Sequence, residues 1–188
     1  MRFSTIFILL ATALCGVATA ANRAGVTMPN SLQVGDKQLV LNGLGLREAT
    51  FLKIDVYVAG LYLEHVSSDP AKIIASDQTK RIVLHFVRDV GRDDIVKAWR
   101  EGFEGNSAAA TLPKIQPLID RLDAWMQDFR KGQTLTFTYV PGEGVQVDVD
   151  ATRKGVLKGT EFAQAMFAIW LGPKPPSSAL KRDLLGKH

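Results

Sequence analysis

The sequence predicts an α+β fold, an antiparallel β-sheet with helices packed on one face. Three observations lead there. Segments alternating at period two come first, two segments of helical period follow, and then come a hairpin and another helical segment. The longest alternating segment is apolar on both faces, so the sheet is expected to be covered, at least in part, on each side. No internal repeat or linker-like stretch divides the 188 residues, which suffice for one domain with a substantial core.

Residues 1–20 read as an export signal. "MRF" supplies a positive charge, "STIFILLATALCGVA" an apolar run too short for a comfortable membrane span, and "ATA" a small-residue cleavage site near Ala20. The expected product is periplasmic or secreted, with no integral membrane span after signal removal. Cys15, the single cysteine, would leave with the signal, so disulfide and thiol chemistry are not expected in the mature chain. A small cysteine-free exported domain suits a bacterial periplasm. Residues 21–36 read as a flexible N-terminal segment and 37–188 as the folded domain.

"GDKQLVLNG" gives a short strand. In the stretch from Leu41 to Glu64 the alternation of Ile54, Val56 and Val58 with Asp55, Tyr57 and Ala59 gives a long one. Asp69 before Pro70 is an N-cap with proline at the first helical position, and Arg81–Val87 is another strand. Ile95, Ala98, Trp99, Gly102 and Phe103 mark one helix. Ile115, Leu118, Ile119, Leu122, Trp125, Met126 and Phe129 mark a second, capped by Thr111 and ended by Gly132. Leu135–Tyr139, "PGEG" and Val145–Val149 form a hairpin, which a strand near Gly155–Lys158 extends. A helix from Thr160 to Gly172 presents Phe162, Met166, Ile169 and Trp170, and a short helix follows the proline-rich "PKPPSS".

Several chemistries find no support. The net charge of +4 is interspersed and contains no like-charge run, which argues against nucleic-acid binding. The three histidines show no ligand spacing, so no metal is expected, and no cofactor motif occurs. No serine has the context of a nucleophile. Asp93, Asp94, Asp120, Asp123 and Asp128 read as solvated helix faces and first turns. Trp99, Trp125 and Trp170 read as core.

What remains is Arg47, in an apolar stretch just after Gly43 and Gly45. A guanidinium placed there calls for a partner or a ligand. Gly43-Leu44-Gly45-Leu46-Arg47, followed by a strand ending "GLYLE", resembles the G-x-G-x-R and G-V-Y-L-E signature of chalcone isomerase-fold proteins. "HFVRDV", "QAMFAIWLG" and Leu180-Lys181 fall in the family's order, and the C-terminal "WLGPKPPSSALKRDLLG" looks like its exported bacterial branch. The resemblance runs from about residue 37 to 185 and implies an open-faced sandwich of sheet and helices.

In the enzymes of that family the corresponding arginine stabilises anionic oxygen during intramolecular ring closure. In plastid relatives an arginine and a tyrosine hold a fatty-acid carboxylate. The enzymes' threonine position falls on Tyr57 here, no tyrosine lies between Leu63 and Thr138, and Ile169 stands where they carry a polar residue. Asn106 is the single asparagine available in that region. The resemblance thus implies that Arg47 and Tyr57 bind a small amphipathic or anionic ligand, such as a fatty acid. Two alternatives stay open: an isomerase or intramolecular lyase with Arg47 as its catalytic residue, and a non-catalytic envelope interaction module with Arg47 bridged to Asp55 or another carboxylate. Tyr57 could equally be a core aromatic with its hydroxyl at the sheet edge, and Tyr62 reads as packing. Gly43 and Gly45 read as positions of positive φ at a turn or bulge.

Overall fold

The computed structural model describes residues 20–49 and 54–187. Its centre is a seven-stranded antiparallel sheet in which every strand pairs with its neighbours in sequence: β3 (Ser31–Val34), β4 (Lys37–Ala49), β5 (Ile54–Leu63), β6 (Lys80–Phe86), β7 (Thr134–Val140), β8 (Gly144–Val149) and β9 (Thr152–Leu157). A separate hairpin, β1 (Ala20–Arg23) with β2 (Val26–Pro29), precedes it. Residues 21–36, expected to be flexible, therefore carry two strands of a hairpin and an edge strand. The export-signal reading falls on residues that, up to 19, lie outside those described.

Alternation along β5 divides the apolar residues between two cores, because successive side chains on a strand point to opposite faces. Tyr57, Ala59, Leu61 and Leu63 join the main core under the helices. Val58 faces the other way, with Leu44, and is covered by Val26 and Met28 of the hairpin. The two apolar faces read from the sequence thus have two different covers. Tyr62 secures the second cover, its hydroxyl donating to the carbonyl of Pro29 at 2.9 Å. That matches its expected packing role.

The helices lie on the first face: α1 (Pro70–Ala75), α2 (Arg92–Asn106), α3 (Leu112–Trp125), α4 (Thr160–Leu171) and α5 (Ser178–Leu184). Asp69 caps α1 as expected, its carboxylate accepting from the N–H groups of Ala71 at 3.0 Å and Lys72 at 3.2 Å. Asp69→Ala is expected to cost about 1 kcal/mol, read as a lowered urea midpoint at unchanged slope. An unchanged midpoint would show that Pro70 alone sets this helix start.

α3 stops earlier than its periodicity suggested. Met126 turns extended, with φ −74° and ψ 148°, and Phe129 then exchanges two backbone hydrogen bonds with Val90, at 2.8 and 2.9 Å. Thr111 makes no capping hydrogen bond, and Gly132 sits in the following turn at φ 94°. α4 is buried nearly all round, from Phe162 to Leu171, rather than on one side.

One feature gave no sequence signal. Lys80, 1% exposed, places its ammonium against the carbonyls of Ile73 at 2.7 Å, Ile74 at 3.0 Å and Ser76 at 3.0 Å. It closes the C-terminal end of α1, where carbonyls lack intrahelical donors. The rings of Tyr139 and Phe167 lie 5.3 and 5.2 Å from it. Burial pushes this lysine down to about 8.

Candidate functional site

The site begins in the pairing of β4 with β5. Arg47 lies directly opposite Tyr57, and paired residues share a face, so both point to the helix side. The long β4 places Arg47 inside a strand rather than in a turn before one. Between Arg47 and Glu48 the register shifts: Glu48 pairs with Asp55, and Val56 is the extra residue. This bulge brings Val56 and Tyr57 to the same wall and leaves Asp55 beside Glu48, exposed to solvent. The bridge to Asp55 considered from the sequence is not made. Among the described residues no carboxylate forms an ion pair with half-buried Arg47.

Gly43 and Gly45 precede Arg47 on the same face, and neither has a positive φ. A register shift does fall between Leu41 and Gly43. Their missing side chains serve α5 instead. A β-carbon at position 43 would run into the carbonyl oxygen of Asp183, and one at 45 would lie 2.8 Å from both Asp183 Cβ and Leu180 Cδ1. α5 therefore rests directly on the strand that ends in Arg47. Asn42 ties the two further, donating to the Leu184 carbonyl at 2.8 Å.

Between the β4–β5 end, α2 and the loop after α4 lies a cleft of about 490 Å³. Arg47 and Tyr57 form its floor with Val56; Ile95, Ala98 and Trp99 of α2 form one wall; Pro175 and Pro176 close another. Exposed Arg88, Asp94, Glu101 and Lys174 stand around it. The volume falls within the roughly 300–1,000 Å³ usual for small-molecule sites, and apolar walls with few convergent polar groups are their usual make-up.

Tyr57 is both a core aromatic and a cleft residue. Its ring packs edge-on against Phe86 with centroids 6.0 Å apart. Its hydroxyl, rather than reaching a sheet edge, accepts a hydrogen bond of 3.1 Å from the indole N–H of Trp170. Burial pushes the phenol up to about 12, against the opposing pull of the Trp170 N–H and the Arg47 charge. Tyr57 is therefore a neutral donor at any ordinary pH. The sequence did not distinguish Trp99 and Trp170 from other core aromatics; their apolar helical spacing looked the same. Asn106 is absent from the cleft lining. Its amide donates to the carbonyls of Gly102 and Lys174, both at 2.9 Å, and accepts from the Lys174 N–H at 2.8 Å. Ile169 is fully buried and packs against Gly102.

Among the described residues no helix is long and apolar enough to cross a membrane, and no group of three or more metal-ligating side chains comes together. A neutral phenol and a guanidinium with no carboxylate partner among the described residues, on adjacent strands, can jointly donate hydrogen bonds to one anionic oxygen pair.

Comparison with known proteins agrees with this architecture. A fatty-acid binding protein of Arabidopsis thaliana, known from a crystal structure, superposes with a TM-score of 0.68 at 18% identity, over 89% of this chain and 96% of its own. At that identity the likeness concerns the fold. No curated protein sequence matches the chain. Residues 20–186 match the chalcone isomerase-like family, and with nearly the whole described chain covered, this protein belongs to that family.

Proposed function

We propose that this protein binds a small amphipathic carboxylate, such as a fatty acid, in the cleft between sheet and helices, and that it does so after export to the periplasm or beyond. The observation that carries the reading is Arg47: a half-buried guanidinium without a carboxylate partner among the described residues, lining a 490 Å³ cleft beside the Tyr57 phenol. Arginine offers a planar fork of donors suited to bidentate contact with a carboxylate. The apolar walls of Val56, Ile95, Trp99 and the two prolines suit a hydrocarbon tail. The fatty-acid binding protein of the same fold fits this reading. Catalysis of the chalcone isomerase type is favoured less, because Asn106 is spent on backbone partners and Ile169 on packing.

Titration calorimetry with laurate, and with dodecanol as an uncharged control, tests the proposal. Laurate is expected to bind the wild type and dodecanol to bind far more weakly. Arg47→Met is expected to weaken laurate roughly 10- to 100-fold, as loss of a charge-assisted pair of about 1.5–3 kcal/mol implies, while its thermal unfolding stays close to that of the wild type. Equal laurate affinity in the two proteins would overturn the reading. Native mass spectrometry of protein taken from its own host would identify the natural occupant.

A further inference from the structure

The two tryptophans nearest the cleft are not equivalent. Trp99 lines it, and its indole N–H is directed at the sulfur of Met126, 3.4 Å away. Trp170 is absent from the cleft wall and fully buried, yet it makes a polar contact with a residue that does line the cleft. We propose that Trp170 is a positioning residue: its N–H occupies an acceptor lone pair of the Tyr57 oxygen, so that the Tyr57 hydrogen is aimed into the cleft, toward an anionic oxygen held by Arg47. The inference rests on the carboxylate-binding reading of the site and adds to it a residue that never touches the ligand.

The argument is one of donor and acceptor roles. An indole N–H can only donate, so in the Trp170–Tyr57 contact the phenol oxygen must accept. A phenol carries one hydrogen of its own, which must find an acceptor elsewhere. Among the described residues no acceptor for it is found; the hydroxyl's hydrogen-bond partner is Trp170. Buried donors are rarely left unpaired, so the empty direction marks where an acceptor belongs. Arg47, which lies opposite Tyr57 in the strand register, lines the same cleft.

Both partners are held against rotation. The Tyr57 ring stands at 76° to Phe86. The Trp170 ring packs on Trp99 at 5.5 Å and on Phe137 at 5.8 Å. A hydroxyl oriented before binding loses less freedom when the ligand arrives, and that saving appears as affinity. Without the indole donor the hydroxyl is free to turn away from the ligand.

Three variants test this: Tyr57→Phe, Trp170→Phe and the double variant. Since Trp170→Phe alters core volume, Trp170→3-benzothienylalanine, which replaces the N–H by sulfur with the ring shape kept, serves as the second probe. Laurate affinity is expected to fall about tenfold in Tyr57→Phe and several-fold in either Trp170 variant. In the double variant it should fall no further than in Tyr57→Phe alone, because Trp170 acts only through Tyr57. A ligand-free readout separates this inference from the function it rests on. In alkaline titration followed by phenolate absorbance in a Tyr62→Phe, Tyr139→Phe background, where Tyr57 is the one tyrosine left, its ionisation is expected to shift upward in both Trp170 variants, since a donor to its phenolate has gone. If the wild type binds no laurate, the carboxylate reading falls, and the positioning role falls with it even where the titration shows the contact. If laurate binds and both Trp170 variants keep wild-type affinity, the positioning role alone is overturned, whatever the titration shows.

Discussion

Gly43→Val is expected to destabilise the protein by about 3 kcal/mol and to release α5 from the sheet. Overpacking a filled site usually costs about 1–3 kcal/mol, and more where backbone rather than a flexible side chain stands in the way. Here the obstacles are backbone: the carbonyl oxygen of Asp183, and that of Leu184 only 2.5 Å from the added β-carbon. No rotamer change relieves that contact, so α5 must move as a unit. Leu180 and Leu184, both fully buried, would leave the core with it. The hairpin should feel the change too, since Arg23 pairs with Asp183 at 3.2 Å. Urea denaturation measures the loss, and hydrogen exchange should show α5 unprotected while β5–β7 stay protected. A wild-type midpoint, or loss spread evenly over the chain, would contradict this account.

Trp99→Ala is expected to cost about 3–5 kcal/mol, the usual range for truncating a large core aromatic. Trp99 is 2% exposed, stands edge-on to Phe137 at 6.0 Å and to Trp170 at 5.5 Å, and directs its N–H at Met126. One side chain therefore links α2, α4, the sheet and the segment after α3. Its removal also takes away a wall of the cleft, so laurate affinity should drop in whatever fraction remains folded. Trp99→Phe should recover most of the stability. A loss below about 1 kcal/mol for Trp99→Ala would mean that neighbours collapse into the space, and a simultaneous rise in affinity would mean that Trp99 blocks the cleft.

The sequence was a good guide where one physical signal dominates. Period-two alternation located β5, β6 and the β7–β8 hairpin, and Asp69-Pro70 located α1. It was a poorer guide where burial imitates a pattern. Met126 and Phe129 keep helical spacing although the chain there is extended, because Phe129 is buried anyway by stacking on Phe86 at 4.5 Å. α4 looked amphipathic, whereas its remaining side faces the other helices. The short β1 and β2 were missed because four-residue strands offer too few alternations to read. At the site, Arg47 stood out because a cation in an apolar stretch is costly, and Tyr57 followed from the resemblance. Trp170 could not have been found: nothing in a helical apolar spacing tells which indole will meet a phenol 113 positions earlier in the chain.

The single extra residue at Val56 governs more than local shape. Along a strand, odd and even positions belong to opposite faces, so an uninterrupted β5 would turn Asp55 to the same side as Tyr57, within reach of the guanidinium. The inserted residue inverts that parity just before the paired positions, and the aspartate is delivered to water instead. Whether the guanidinium meets this aspartate or stays open to the cleft thus depends on the pairing register at the bulge and not only on which residues are present.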